Sequence, residues 1–158
     1  LNEAILRQQG GDNERFATVA YARIARRGSQ ISLTVACGGH PPPLVLRAQG
    51  GAVVPVGAVG TLLGILAEVD FPETTVKLEP GDSVTFYTDG LTEAPGPHGE
   101  FGSDRLCELV ASSAGCSAEA TAGRLEEVIL AYQGGISRDD VAVLVLKRHE
   151  RPASSGAA

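Results

Sequence analysis

The chain has 158 residues, 43% of them hydrophobic, which is enough for one domain with a core that needs no disulfide staples. Thirteen Lys and Arg stand against 19 Asp and Glu, a net charge of −6. The basic residues are scattered, so nucleic acid and anionic lipid lack a footprint to bind. Three cysteines, Cys37, Cys107 and Cys116, share no C-x-x-C or Cys/His spacing; this excludes a zinc or dithiol motif and points to a reducing cytoplasm.

Leu1, Ile5 and Leu6 sit at helical spacing with no capping residue before them, so a short helix over about 1–9 is expected, entered from its middle or its edge. The start also lacks the basic segment and apolar run of a signal peptide. After a turn at Gly10–Asn13, FATVAYARIARR (16–27) alternates as a strand, with Phe16, Thr18 and Ala20 on one face and Ala17, Val19 and Tyr21 on the other. Gly28-Ser29 then turns the chain into ISLTVA (31–36), which predicts an antiparallel hairpin. LVLR (44–47), a short strand over 52–55, 74–78 and SVTFYT (83–88) continue in the same manner, punctuated by Gly-rich and Pro-Gly turns. The apolar window 52–67 is broken by Pro55, Gly57, Gly60 and Gly64 and falls short of the roughly 20 residues of a membrane helix. It reads as core strand and loop.

The periodicity then changes. Leu106, Leu109 and Val110 mark a helix over 104–112, and Ser117 is placed to cap a second helix whose inner stripe is Leu125, Val128, Ile129 and Tyr132, ended by Gly134-Gly135. VAVLVLK (141–147) is apolar on both faces, as suits a strand buried between a sheet and helices. The tail RPASSGAA has a disordered composition. Antiparallel strands followed by two amphipathic helices define an α+β layered domain over 1–149.

Acids stand at the ends of two predicted core strands: Asp89 after 83–88, and Asp139-Asp140 before 141–147. If those strands are antiparallel neighbours, these ends lie at one edge and the carboxylates meet. Like charges held together call for a cation, and a hard divalent ion such as Mg²⁺ or Mn²⁺ favours oxygen ligands and ionises a bound water. Each piece has a plainer reading as well. Asp-Gly after a strand is a turn signal, and Asp139-Asp140 with Arg138 reads as a solvated loop. His40, between Gly38-Gly39 and Pro41–Pro43, sits in a stiff loop where it would bind phosphate, act as an acid, or simply pack. Cys37 closes an apolar strand without any feature that lowers a thiol pKa, so it reads as a packed side chain.

In order along the chain, RFATVAYARI (15–24), GGHPPPLVLR (38–47), LLG (62–64), LEPGDSVTFYTDGLTEA (78–94), GEFGSDRL (99–106) and DDVAVLVL (139–146) resemble the bacterial SpoIIE/RsbU-type serine/threonine phosphatases of the metal-dependent PP2C (PPM) superfamily. The resemblance implies a PP2C-like sandwich of antiparallel sheets flanked by helices, with a two-metal Mn²⁺ or Mg²⁺ centre. Metal-activated water would attack phosphoserine or phosphothreonine on a protein, such as an anti-sigma-factor antagonist. Asp89 and Asp139 match the family's metal aspartates. Gly90 matches its glycine beside the ions, and Asp140 falls where relatives carry Asp or Asn.

The family's first metal motif has no counterpart among these residues, and Gly38-Gly39-His40 replaces the usual Ala-Gly-His. The domain is therefore expected to be N-terminally incomplete, with strand edges that invite a homodimer. Two readings follow: a cytoplasmic phosphatase, or a phosphatase-like binding module without turnover.

Overall fold

The structure is a computed structural model that describes residues 1–9, 15–135 and 140–149. The turn expected at Gly10–Asn13, Asp139 and the tail over 150–158 lie outside the described residues.

Helix α1 (Asn2–Arg7) is followed by the hairpin of β1 (Val19–Arg27) and β2 (Gln30–Gly38), paired in register from Arg27 opposite Gln30 to Val19 opposite Gly38. Gly28 makes the two-residue turn at φ +61°, a backbone conformation that a Cβ would strain. The strand predicted over 16–27 starts later than its alternation suggests, because Ala17 bridges to Leu63 instead. The other side of β2 is taken by β6 (Thr74–Leu78), antiparallel along 31–35, and by the short β5 (Val59–Gly60), parallel at Cys37 and Gly38.

A second antiparallel sheet runs in the order β10 (Val143–Lys147), β7 (Ser83–Tyr87), β3 (Leu44–Leu46) and β4 (Val53–Pro55). Between β7 and α2 (Ser103–Ala111) lies a small hairpin of β8 (Pro95–Gly96) and β9 (Gly99–Glu100), too short to show a sequence period. Tyr132 anchors it: its hydroxyl donates to Gly99 O at 3.0 Å, and its ring meets Phe101 edge-on at 5.2 Å. Tyr132 ends α3 (Ala118–Tyr132), whose N-cap is the expected Ser117, with Oγ accepting from Ala120 N at 3.1 Å.

The sheets face each other over Leu33, Val35, Cys37, Val45, Val56, Leu78 and Val84. On the far side of the second sheet, Leu44, Leu46, Tyr87 and Leu91 pack with Leu106, Val110, Leu125 and Ile129 of the helices. Alternation along each strand feeds both layers, and each fully buried Leu or Val contributes about 1.5–3 kcal/mol. The α+β sandwich expected from sequence is thus present. Burial at its last strand differs from expectation: β10 is a sheet edge, so Leu144 is 57% exposed although Val145 is buried. Its two-faced apolar pattern was legible, but its missing lateral neighbour was not. Among the described residues no helix is long and apolar enough to cross a membrane.

The turn into β7 is fixed by Asp82, 1% exposed. Its carboxylate accepts from Arg47 Nη1 at 2.7 Å, Ala48 N at 2.9 Å and Glu79 N at 2.9 Å. Burial opposes ionisation, but these donors outweigh it and lower the pKa below the usual carboxylate range. The stabilisation is therefore complete above the ordinary Asp range near 4 and is lost as the pH falls through the lowered folded value. Asp82→Asn should cost about 3 kcal/mol in urea unfolding at pH 7, because it leaves Arg47 and two amides without their anion. The gap to wild type should close as the pH drops below about 4.

Candidate active site

β7 and β10 are antiparallel neighbours, with Tyr87 opposite Val143 and Phe86 opposite Leu144. The exit of one strand and the entrance of the other therefore meet, as the acids at their ends require. Beyond the ladder Thr88 extends the join. Its amide donates to Ala142 O at 3.1 Å, its hydroxyl donates to Asp140 O at 3.2 Å, and the same hydroxyl accepts from Ala142 N at 3.0 Å. This threonine was overlooked in the sequence, although it immediately precedes Asp89. The signal available was a hydroxyl at a strand end facing another strand's entrance.

Asp89 opens a single 3₁₀ turn, Asp89–Leu91. The turn is pinned by Leu91, fully buried in the helix-side core, by Leu91 N donating to Thr88 O at 3.0 Å, and by Glu93 N donating to Asp89 O at 2.8 Å. Gly90 is buried, while the Asp89 side chain stays exposed, its Oδ1 accepting from Gly90 N at 3.1 Å. Asp89 is thus both a turn residue and a displayed carboxylate. Asp140 is exposed as well and lines a groove of about 620 Å³ between α3 and residues 140–143. Among the described residues, Asp89 and Asp140 are the acids at this edge; Asp139 lies outside them.

His40 lies at the same end of the sandwich. The chain crosses from the first sheet to the second through residues 39–43, and β3 begins opposite Thr85, two residues before β7 ends. His40 Nδ1 is 3.1 Å from Thr18 Oγ1. Both residues line a cleft of about 460 Å³ with Phe86 and Leu144. Cys37 is fully buried and its thiol pKa is pushed up by that burial, so it packs.

Carboxylate and carbonyl oxygens are the donor types that Mn²⁺ and Mg²⁺ accept. No group of three or more His, Cys, Asp or Glu side chains converges among the described residues, and Asp139 lies outside them. Asp89 and Asp140 are both exposed and carry oxygen donors of that type.

Residues 1–149 match the family model for stage II sporulation protein E (SpoIIE). This chain belongs to the SpoIIE family. Among its relatives it is 27% identical over 148 residues to the phosphoserine phosphatase RsbU of Bacillus subtilis, covering 94% of this chain and 43% of RsbU. It is likewise 27% identical over 150 residues to protein IcfG of Synechocystis, covering 94% of this chain and 23% of IcfG. The chain thus spans less than half the length of these two relatives.

The phosphatase domain of SpoIIE from B. subtilis, in a crystal presoaked with Mn, superimposes with a TM-score of 0.70 at 23% identity, covering 94% of this chain and 63% of that one. The RsbU and RsbW domains of Rv1364c from Mycobacterium tuberculosis give 0.71 at 26%, covering 95% and 41%. The SpoIIE member's fold is therefore that of the PP2C-type phosphatase domains.

Thr88 is the residue whose removal tests the join directly. Thr88→Val should loosen the segment around Asp140 by about 1 kcal/mol. Hydrogen exchange should show the Ala142 amide exchanging about fivefold faster, with the amides of β7 unchanged.

Proposed function

We propose that the protein carrying this chain is a metal-dependent phosphatase of bacterial signalling that hydrolyses phosphoserine or phosphothreonine on a regulatory protein, such as an anti-sigma-factor antagonist. The observation that carries this reading is the β7–β10 join, which sets Asp89 and Asp140 at one edge in a chain of the SpoIIE family. Asp89 and Asp139 are assigned to hold Mn²⁺ or Mg²⁺, with Gly90 and Asp140 beside them. Such an ion, when bound, supplies Lewis-acid stabilisation and lowers the pKa of a bound water.

The chain's own contribution is positional. The turn at Asp89–Leu91 holds one carboxylate outward, and Thr88 ties the Asp140 segment to it. Preorganisation of this kind avoids reorganisation cost when charge develops on a phosphoryl group. The second reading, a phosphatase-like binding module without turnover, is favoured by the lack of a counterpart to the family's first metal motif among these residues.

The full-length protein should hydrolyse a phosphoserine peptide only when Mn²⁺ or Mg²⁺ is added, and Asp89→Asn should lower kcat/KM by a factor of about 100 or more. Full activity in that variant would remove the role given to Asp89. A wild type that binds the phosphopeptide without turning it over would favour the binding module.

Residues 1–149 act in this reading as one domain, and a second copy suits its open edge. Strand β1 carries Arg23, Arg26 and Arg27, which repel in self-pairing, whereas β10 has no charge between Val143 and Leu146 to oppose its own copy. Light scattering of the 158-residue chain should give about twice 16.3 kDa, and Leu144→Lys should return it to the monomer mass. A wild-type monomer would end the dimer proposal.

A further inference from the structure

The cleft between the two sheets is walled by apolar side chains, among them Ala20, Phe86, Leu144 and Leu146; among the described residues that line it, Thr18 and His40 are the polar ones. Leu144 and Phe86 are cross-strand partners, and Phe86 precedes Asp89 by three residues, so this polar pair stands at the acid-bearing end of the sandwich.

The loop that carries His40 is held rigidly. A Cβ on Gly38 would come within 2.7 Å of the Leu63 and Phe71 side chains. Gly39, at φ +64°, would place a Cβ 2.5 Å from Leu62. Gly39 N donates to Gly60 O at 3.0 Å, and three prolines follow His40 with their φ angles fixed. The ring is therefore presented on an immobile support, half-buried, with Nδ1 engaged by Thr18 at 3.1 Å.

We propose that His40 contacts the substrate, its Nε2–H donating a hydrogen bond to a phosphoryl oxygen of the bound phosphomonoester, with Thr18 as the positioning residue that sets the tautomer. This assignment rests on the phosphatase reading above. When the Thr18 hydroxyl donates to Nδ1, the ring proton resides on Nε2, and a neutral imidazole presents a donor away from Thr18. A hydrogen bond from such a donor to an anionic phosphoryl oxygen is charge-assisted and therefore stronger than one to a neutral acceptor. Here the hydrogen bond found among the described residues engages Nδ1 alone.

The test uses the full-length protein with Mn²⁺, a phosphoserine peptide as substrate, and inorganic phosphate as competitive inhibitor. His40→Ala should weaken inhibition by phosphate about tenfold and lower kcat/KM by a similar factor, with Mn²⁺ affinity by calorimetry unchanged. His40→Gln carries an amide N–H at nearly the reach of Nε2 and should stay within about threefold of wild type, whereas His40→Asn, whose amide mimics Nδ1, should behave as His40→Ala. Thr18→Val should lose about threefold and Thr18→Ser should restore it, as expected when the hydroxyl acts only through the ring.

If His40→Ala unfolds, as circular dichroism would reveal, the Gln and Asn pair and the Thr18 variants carry the test alone. Equal values for Gln and Asn, or a phosphate inhibition constant that none of the variants moves, would overturn the assignment while leaving the phosphatase intact. A wild type inactive on the phosphopeptide at every Mn²⁺ concentration would instead remove the phosphatase reading, and the role of His40 with it.

Discussion

Antiparallel pairing of β7 with β10 is the constraint on which the remainder of the site depends. It joins residues 83–87 to residues 143–147, and α2 and α3, which lie between them in sequence, pack over one face of the sheet. Contacts of such separation carry a high loop-closure cost, which the apolar layers on both sides offset. Because the ladder is antiparallel, Asp89 and Asp140 both lie beyond the same end of it. There Thr88 adds two side-chain hydrogen bonds and one backbone bond that a bare strand end would lack. The site is therefore an extension of the sheet's own hydrogen bonding.

The same pairing explains why the molecule is firm on one side and open on the other. Toward β3 and the helices, β7 is fully enclosed: Val84, Thr85 and Tyr87 are buried, and Asp82 fixes the entry turn through three donors. On the opposite side β10 has no neighbouring strand among the described residues, and Leu144 is exposed, as are Tyr21 and Ile24 of β1. Unpaired edges that carry apolar side chains are rare in finished soluble surfaces, because they template association. Under the proposed dimer and phosphatase readings, a second copy at β10 would lie beside the strand whose entrance carries Asp140.

Much of this was legible in the sequence. The Gly28-Ser29 hairpin and the Ser117 cap follow from local rules, a turn dipeptide and a side-chain acceptor three residues ahead of an amide, whereas the antiparallel pairing of 83–88 with 141–147 stood in the sequence only as a condition, which the structure meets. β5 and the Pro95–Glu100 hairpin were missed because strands of two residues show no period. The exposure of Leu144 was missed for a different reason. Alternation records which faces of a strand are covered and carries no information about whether its edges are paired. Asp89 illustrates a third limit, since a turn residue and a displayed carboxylate have the same local sequence signature, and here the structure uses Asp89 as both.

What separates the two roles is rigidity of support. An aspartate in an ordinary surface turn is free to choose rotamers, whereas Asp89 is bracketed by buried Gly90 and Leu91 on one side and by the clasped Thr88 on the other. His40 is bracketed in the same way, by glycines too crowded to accept a Cβ and by prolines that fix the backbone beyond it. Two polar groups from distant segments are thus each held at the same end of the sandwich by backbone that cannot relax. Holding them in place costs conformational entropy that local stability gains nothing from, and such a cost is recovered only where a ligand meets groups already in position. Under the proposed phosphatase reading, that fixed placement is what a phosphate ligand and its cation would meet.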